Sequence, residues 1–405
     1  MQSNLFIASG QTSPPQEFAS ISSLKNYLNV SDKEFLVIKK HHNKMYRHFK
    51  IPKRSGGFRY ISAPHKRLLY LQRSLLKIFT GMHKPRNPVH GFVKKRSSIT
   101  NAREHLNRIY VLNIDLKDFF PSITKSRVSG LFASLGIPND VLNALISICC
   151  TNNCLPQGAP TSPVISNMIS LRMDRQLMDY CKGSFIKYSR YADDLTFSMY
   201  RPPNKLFAES IPSPGKIKSN QISYDLKSII GQNGFVLNEE KIRYFGVPSR
   251  KEVTGLIVSN IVNVPRKFVR NIRAILFDIE KNDYDAAQIK FSTKIRKINS
   301  LSEHLRGKIT WISQIKSVDD DVYIGLAERY NKLFQNKHLP IGIRKEEKRY
   351  LSTWVLEAGE TKNPDIISGT AFFLEDYGLV TAAHCIGDME TGQIYEHIKV
   401  FNIIT

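Results

Sequence analysis

Two adjacent carboxylates, Asp193 and Asp194, stand between two runs that alternate apolar and polar side chains. Phe185-Ile186-Lys187-Tyr188-Ser189-Arg190 precedes them and Leu195-Thr196-Phe197-Ser198 follows. The pattern predicts a strand, a tight turn through Tyr191-Ala192-Asp193-Asp194 and a returning strand. Two negative charges side by side at a hairpin tip repel unless a cation lies between them. Hard divalent ions such as Mg²⁺ are held through one or two carboxylates together with substrate phosphates, so the pair suits phosphoryl transfer. For an isolated Asp-Asp the plainer explanation is a turn without chemistry, since Asp favours turns. The rest of the chain decides against that.

A third carboxylate, Asp115, lies in the strand-like run Val111–Leu116, with Leu112, Ile114 and Leu116 on one face and Asp115 on the other. Carboxylates from separate strands are what a two-metal clamp on an in-line displacement requires, with the metals ~3.5–4 Å apart.

The elements that must position these groups follow from periodicity. Residues 1–48 predict a polar tail and short helical segments. Ile51–Ile61 predicts a β-hairpin turning at Gly56-Gly57, with basic residues around the turn. Leu68, Leu69, Leu71, Leu75, Leu76 and Phe79 recur at helical spacing, and residues 139–150 and 161–182 also have a helical pattern. The proline-rich residues 201–219 predict a surface insertion. Beyond Pro265 a basic amphipathic helix is expected, with Arg266, Arg270 and Arg273 on one face and Phe268, Ile272, Ile275 and Ile279 on the other. Lys290, Lys294, Arg296, Lys297, Arg306 and Lys308 extend its basic character, as a surface tracking a phosphate backbone requires. After a charged break at 345–348, residues 350–405 return to strand-like alternation.

A chain of 405 residues exceeds what one core usually supports, so two or three domains are expected. Its 59 basic residues against 35 acidic ones leave a formal charge of +24, which points to a polyanionic partner. No run approaches the ~18 consecutive apolar residues of a transmembrane helix. Met1-Gln2-Ser3-Asn4 lacks the opening of a signal peptide. The expectation is therefore nucleic acid as partner, no membrane, and a cytoplasmic location. Five cysteines argue against a disulfide framework, and Cys149, Cys150 and Cys154 are expected to be buried or half-buried thiols.

These motifs together resemble reverse transcriptases over roughly residues 50–340. Asn113-Ile114-Asp115-Leu116-Lys117-Asp118-Phe119-Phe120-Pro121-Ser122-Ile123 is similar to their first palm motif. Leu155-Pro156-Gln157-Gly158-Ala159-Pro160-Thr161-Ser162-Pro163 is similar to the second, Tyr191–Asp194 to the third and Gly234–Lys241 to the fourth. The resemblance implies an α+β right-hand polymerase. Its N-terminal helical extension would span 1–50, its fingers and antiparallel palm 51–260, and its basic helical thumb 261–345. The resemblance also implies two Mg²⁺ ions at Asp115, Asp193, Asp194 and the Leu116 backbone, with Lys241 as proton donor to leaving pyrophosphate. Lys53, Arg54 and Arg59 would clasp the triphosphate of a dNTP beside Gln157 and Gly158. Phe120 would block a ribose 2′-OH, so that the product is DNA.

Asn101-Ala102-Arg103-Glu104-His105 and Val253-Thr254-Gly255 resemble the two signature strings of retron reverse transcriptases. This implies that Asn101, Ala102, His105, Val253, Thr254 and Gly255, with Arg266, Arg270 and Arg273, bind a cognate structured non-coding RNA of the msr–msd type. Synthesis would start from the 2′-OH of an internal guanosine. The product would be a branched RNA–DNA hybrid, multicopy single-stranded DNA, serving in defence against phage. A group II intron maturase-like enzyme, a template-independent defence polymerase and a non-catalytic RNA-binding scaffold are the alternatives.

Residues 368–386 resemble the opening of a trypsin-like serine protease, with His384 of Thr381-Ala382-Ala383-His384-Cys385 at the place of the general base. No Gly-Asp-Ser-Gly-Gly string follows before Thr405. Residues 346–405 are thus expected to be a linker and a partial, β-rich protease segment without proteolytic activity.

Overall fold

Alternation along the sequence becomes strand pairing in the structure, a computed structural model. It describes residues 14–53, 56–294, 300–335, 337–344, 353–359, 367–374, 378–382, 385–387, 394–395 and 397–402. Two compact units result, Met1–Val262 and Asn263–Thr405.

In the first unit, β1 (Tyr46–Pro52) and β2 (Phe58–Pro64) form the hairpin around Gly56-Gly57, longer than the Ile51–Ile61 pattern at both ends. Gly56 and Gly57 take φ of +88° and +75°, left-handed backbone that glycine enters without steric cost. Five further strands follow: β3 (Tyr110–Asp115), β4 (Lys187–Tyr191), β5 (Asp194–Met199), β6 (Gly215–Lys216) and β7 (Arg243–Phe245). They pair antiparallel in the order β4-β5-β3-β7-β6. Leu195 to Met199 are buried without a break, because β5 is an interior strand covered on both faces. β8 (Lys251–Val253) and β9 (Leu256–Val258) form a further antiparallel pair, which the short strand Val262–Asn263 extends on the β9 side.

Helices supply the cover. Lys66–Met82 buries Leu68, Leu71, Leu75 and Phe79, one stripe at spacings of three and four. Ser162–Cys181 starts with Pro163 in its first turn, where the missing N–H costs nothing. Together with Asn139–Cys149 these helices enclose a core that includes Phe132, Leu145, Ile165 and Phe197.

The short helices expected before β1 are present, and one later segment differs from the sequence reading. Residues before β1 join this core through Leu24 and Leu28 of Ile21–Leu28 and Phe35 and Ile38 of Asp32–His41. The insertion after Tyr200 also does more than cover a surface: Leu206, Phe207, Ile217 and Ile222 are buried in the core. Backbone bonds from Ala208 N to Gln221 O and from Ser223 N to Leu206 O, each 2.9 Å, close it on itself. Its apolar anchors are too few and too irregular to show a period, which is why proline content dominated the reading.

The second unit opens with four helices, Arg266–Asn282, Tyr284–Lys294, Leu301–Lys316 and Asp321–Leu333. Ser300 and Asp320 cap the third and fourth by accepting backbone N–H groups. Ile272, Ile275 and Ile279 are buried, whereas Arg266, Arg270 and Arg273 are exposed on the opposite side of the first helix. Strands Thr353–Gly359, Ile367–Leu374, Gly378–Thr381 and His397–Asn402 then make an antiparallel sheet around Leu356, Ala358, Ala371 and Cys385. No described helix is long and apolar enough to cross a membrane.

Because Leu206 is fully buried, Leu206→Ala is expected to cost about 2–5 kcal/mol in urea unfolding. A true surface position would change by less than ~0.5 kcal/mol, and that result would contradict the packing described here.

Candidate active site

The tip of the β4–β5 hairpin and the end of β3 meet at one point. Asp115 pairs with Asp194 across β3 and β5, and the Leu116 N–H donates to the Asp193 carbonyl at 3.0 Å. Ala192 takes φ +58°, which lets the chain reverse within two residues and leaves both carboxylates at the tip. Asp115 is held from its other side: Asn238 Nδ2 donates to Oδ1 at 2.8 Å and Lys241 Nζ to Oδ2 at 2.7 Å.

Burial, reinforced by Asp193 and Asp115, pushes the Asp194 carboxyl up to about 7. Burial and then Asp115 raise Asp193 in the same direction. Partial burial opposes the Lys241 charge, yet its hydrogen bond to Asp115 and the three carboxylates hold its ammonium above the ordinary range. The site thus concentrates negative charge that a cation would relieve. Among the described residues no three acidic, His or Cys side chains form a ready metal cage, and both Asp115 oxygens already accept bonds. The donor set still fits hard divalent ions, which bind through one or two carboxylates and substrate phosphates rather than an all-protein cage.

The turn is anchored from behind by a buried ion pair that sequence reading missed. Arg190, just before Tyr191, donates to both oxygens of Asp174 at 2.8 Å, and both side chains are wholly buried. Its remaining nitrogen, Nη1, donates to Asn167 Oδ1 at 3.0 Å and to the Ala192 carbonyl at 3.1 Å. Tyr188 donates to Asp174 as well, at 2.8 Å. Gly91 packs on the same turn so closely that a Cβ there would stand 2.2 Å from the Ala192 nitrogen.

In front of the carboxylates lies a cavity of about 620 Å³, lined by Lys53, Arg59, Phe120, Gln157, Leu116 and Lys241 besides Asp115 and Asp193. Ser62 N donates to the Gln157 carbonyl at 2.9 Å, tying the β1–β2 hairpin to the 155–163 loop. Gly158 has φ +128°, and a Cβ would meet the Ser62 carbonyl at 3.0 Å, so only glycine permits this approach. Arg54 lies outside the described residues.

The retron-like strings sit elsewhere. Asn101, Ala102 and His105 are fully buried, so as direct RNA contacts they are out of reach in this structure. His105 bridges two strands, with Nδ1 and Nε2 each 2.6 Å from Ser198 and Ser189 Oγ respectively. Burial pushes its imidazole down to about 3, which keeps it neutral. Val253 is buried too, while Thr254 donates to the Ser98 carbonyl at 3.2 Å and so joins the second string to the helix of the first. Thr254 and Gly255 also line a second cavity, about 710 Å³, together with Asp115, Asp194 and Lys241. Arg266, Arg270 and Arg273 belong to the other unit, and His384 lies outside the described residues.

The family described as “Reverse transcriptase (RNA-dependent DNA polymerase)” matches residues 51–259, just over half of the chain. The chain belongs to the reverse transcriptase family. Among similar proteins, Retron Ec86 reverse transcriptase of Escherichia coli is 37% identical, covering 60% of this chain and 66% of that protein. Retron Mx65 reverse transcriptase of Myxococcus xanthus is 34% identical over 56% of this chain and 54% of its own. Retron Mx162 reverse transcriptase of the same organism is 33% identical over 57% and 52%. The chain therefore spans between about half and two thirds of the length of these retron enzymes. A solved apo telomerase from Candida tropicalis aligns over 73% of this chain and 63% of its own, at 12% identity and a TM-score of 0.40, too loosely to bear on the argument.

Two outcomes are expected from this geometry. Asp174→Ala leaves the Arg190 guanidinium buried and unpaired, at a cost of about 3–5 kcal/mol in chemical denaturation; a change under ~1 kcal/mol would mean the pair carries little. A raised carboxyl pKa means that the folded state holds its proton more tightly than the unfolded chain. In divalent-free buffer the Asp194 contribution is therefore present below its ordinary value of 3.8 and lost as pH rises through about 7. Wild-type stability should decline relative to Asp194→Asn across that window, by on the order of a few kcal/mol. Parallel pH profiles for the two proteins would contradict this.

Proposed function

We propose that this chain is a retron-type RNA-directed DNA polymerase that copies part of a cognate structured RNA into single-stranded DNA. The observation that carries the proposal is that Asp115 and Asp193 line one cavity with Lys53 and Arg59, while Asp194, paired with Asp115 across the strands, lines the adjoining cavity with Asp115, Lys53 and Lys241. Acidic groups facing basic ones across a space of nucleotide size suit the transfer of a nucleotidyl group from a triphosphate.

The residues divide the work. Lys53 and Arg59 bind the triphosphate of a dNTP, Arg59 with a planar fork able to grip two oxygens. Gln157 and Gly158 set the distance between hairpin and palm. The Phe120 ring closes the cavity where a ribose 2′-OH would lie, and so excludes ribonucleotides by bulk. Asn238 and Lys241 orient Asp115, and Lys241 supplies a proton to the departing pyrophosphate. Two bound Mg²⁺ ions would lower the pKa of the attacking hydroxyl and neutralise charge on the transferred phosphate.

The primer hydroxyl is the 2′-OH of an internal guanosine, and the product is a branched RNA–DNA hybrid of the msr–msd type. The formal charge of +24 and the exposed row Arg266, Arg270 and Arg273 support RNA binding through phosphate and shape. Relatives that are retron reverse transcriptases support the choice of template class. Asn101, Ala102, His105 and Val253 then act from the interior, shaping the face that Thr254 and Gly255 present. The setting is cytoplasmic and the role antiviral defence, with the β-rich segment after residue 346 belonging to a protease-like effector.

Asp193→Asn combined with Asp194→Asn is expected to abolish primer extension in Mg²⁺, by at least about 10³-fold, while RNA affinity by filter binding stays within a few-fold. A double variant with full extension would overturn the assignment.

A further inference from the structure

Phe92 is an aromatic residue in a backbone region that aromatic residues avoid. Its φ is +61°, and its side chain is 47% exposed. Left-handed backbone strains a residue with a Cβ, and such strain persists only where the surroundings over-determine it. Here they do. His90 N donates to the Arg190 carbonyl at 2.8 Å, Asn167 Nδ2 donates to the Gly91 carbonyl at 3.0 Å, and Gly91 abuts the Ala192 nitrogen. The residue before Phe92 is therefore clamped to the turn that carries Asp193 and Asp194.

Among the described aromatic rings, that of Phe92 packs against Phe120. Its centroid is 6.0 Å from that of Phe120, with the planes inclined at 43°. Phe120 in turn meets Phe119 edge-on at 5.5 Å, and Phe119 stacks on Phe235 at 5.5 Å. Phe119 and Phe235 are buried, so Phe120 is fixed on its inner side by the core. Phe92 meets Phe120 as well, and both rings line the cavity shared with Asp115, Asp193, Arg59 and Gln157. A steric wall discriminates only if it cannot swing away, and an aromatic ring braced on one side is free to tilt toward the other.

We propose that Phe92 is a positioning residue for sugar selection: it braces Phe120 from the solvent side and so keeps the wall upright against a ribose 2′-OH. The inference rests on the reading of Phe120 as that wall. A strained backbone beside the Tyr191–Asp194 turn is consistent with that role, since in this conformation the ring lines the cavity.

Glycine adopts φ +61° freely, so Phe92→Gly removes the ring while relieving rather than adding strain. Purified full-length protein is assayed on an RNA template with single dNTPs and the matching rNTPs, and the ratio of their kcat/KM values is read. Phe92→Gly should lower the dNTP-over-rNTP ratio about tenfold or more, chiefly through a lower KM for the rNTP. Phe92→Tyr, which keeps the ring, should restore the wild-type ratio. Phe120→Ala separates the two levels of the argument. If Phe120→Ala loses discrimination while Phe92→Gly keeps it, the bracing role is wrong and the wall stands. If neither variant alters the ratio, the reading of Phe120 fails first. Should Phe92→Gly not fold, Phe92→Asn, also at ease in left-handed backbone, is read in the same way.

Discussion

Mutual repulsion among Asp115, Asp193 and Asp194 is the constraint around which the first unit is built. Two unit charges ~4 Å apart repel by about 4 kcal/mol at an effective dielectric of ~20. That is a sizeable part of the ~5–15 kcal/mol by which a typical domain is stable. A loop left to itself would relax by turning one carboxylate outward. The hairpin tip is instead fixed from three directions: β3 pairs with β5, Leu116 N–H holds the Asp193 carbonyl, and the Arg190 guanidinium holds the Ala192 carbonyl.

Arg190 shows how a buried charge becomes useful. A lone guanidinium in the interior is very costly, but this one meets four acceptor atoms on Asp174, Asn167 and Ala192. Once satisfied, it ties the Tyr191–Asp194 turn to the Ser162–Cys181 helix. The Lys241–Asp115 contact is of another kind, since Lys241 is half exposed and the pair screened on its outer side.

The central hairpin was legible because alternation on both sides of Asp193-Asp194 leaves one place for the turn. Asp115 was legible by the same rule. Lys241 and Phe120 were reached through the resemblance alone, as nothing in their local pattern separates them from a surface lysine or a core phenylalanine. The interior position of His105 was hidden because a six-residue helix, Ser98–Arg103, is too short to show a period. Arg190 read as the polar side of a half-exposed strand, whereas β4 carries buried side chains from Tyr188 to Arg190. Asp174 and Arg190 are partners only once the helix lies on the sheet, and no spacing rule announces that.

The proposal is a polymerase whose charge-laden turn is rigid behind and adjustable in front. It is tested most directly by crystals grown with template RNA, an incoming nucleotide that cannot react, and Mn²⁺ in place of Mg²⁺. Anomalous difference maps should show two peaks ~3.5–4 Å apart, bounded by Asp115, Asp193 and Asp194 and touching the triphosphate. Manganese bound away from these carboxylates, or a nucleotide seated elsewhere with the three side chains pointing apart, would contradict it.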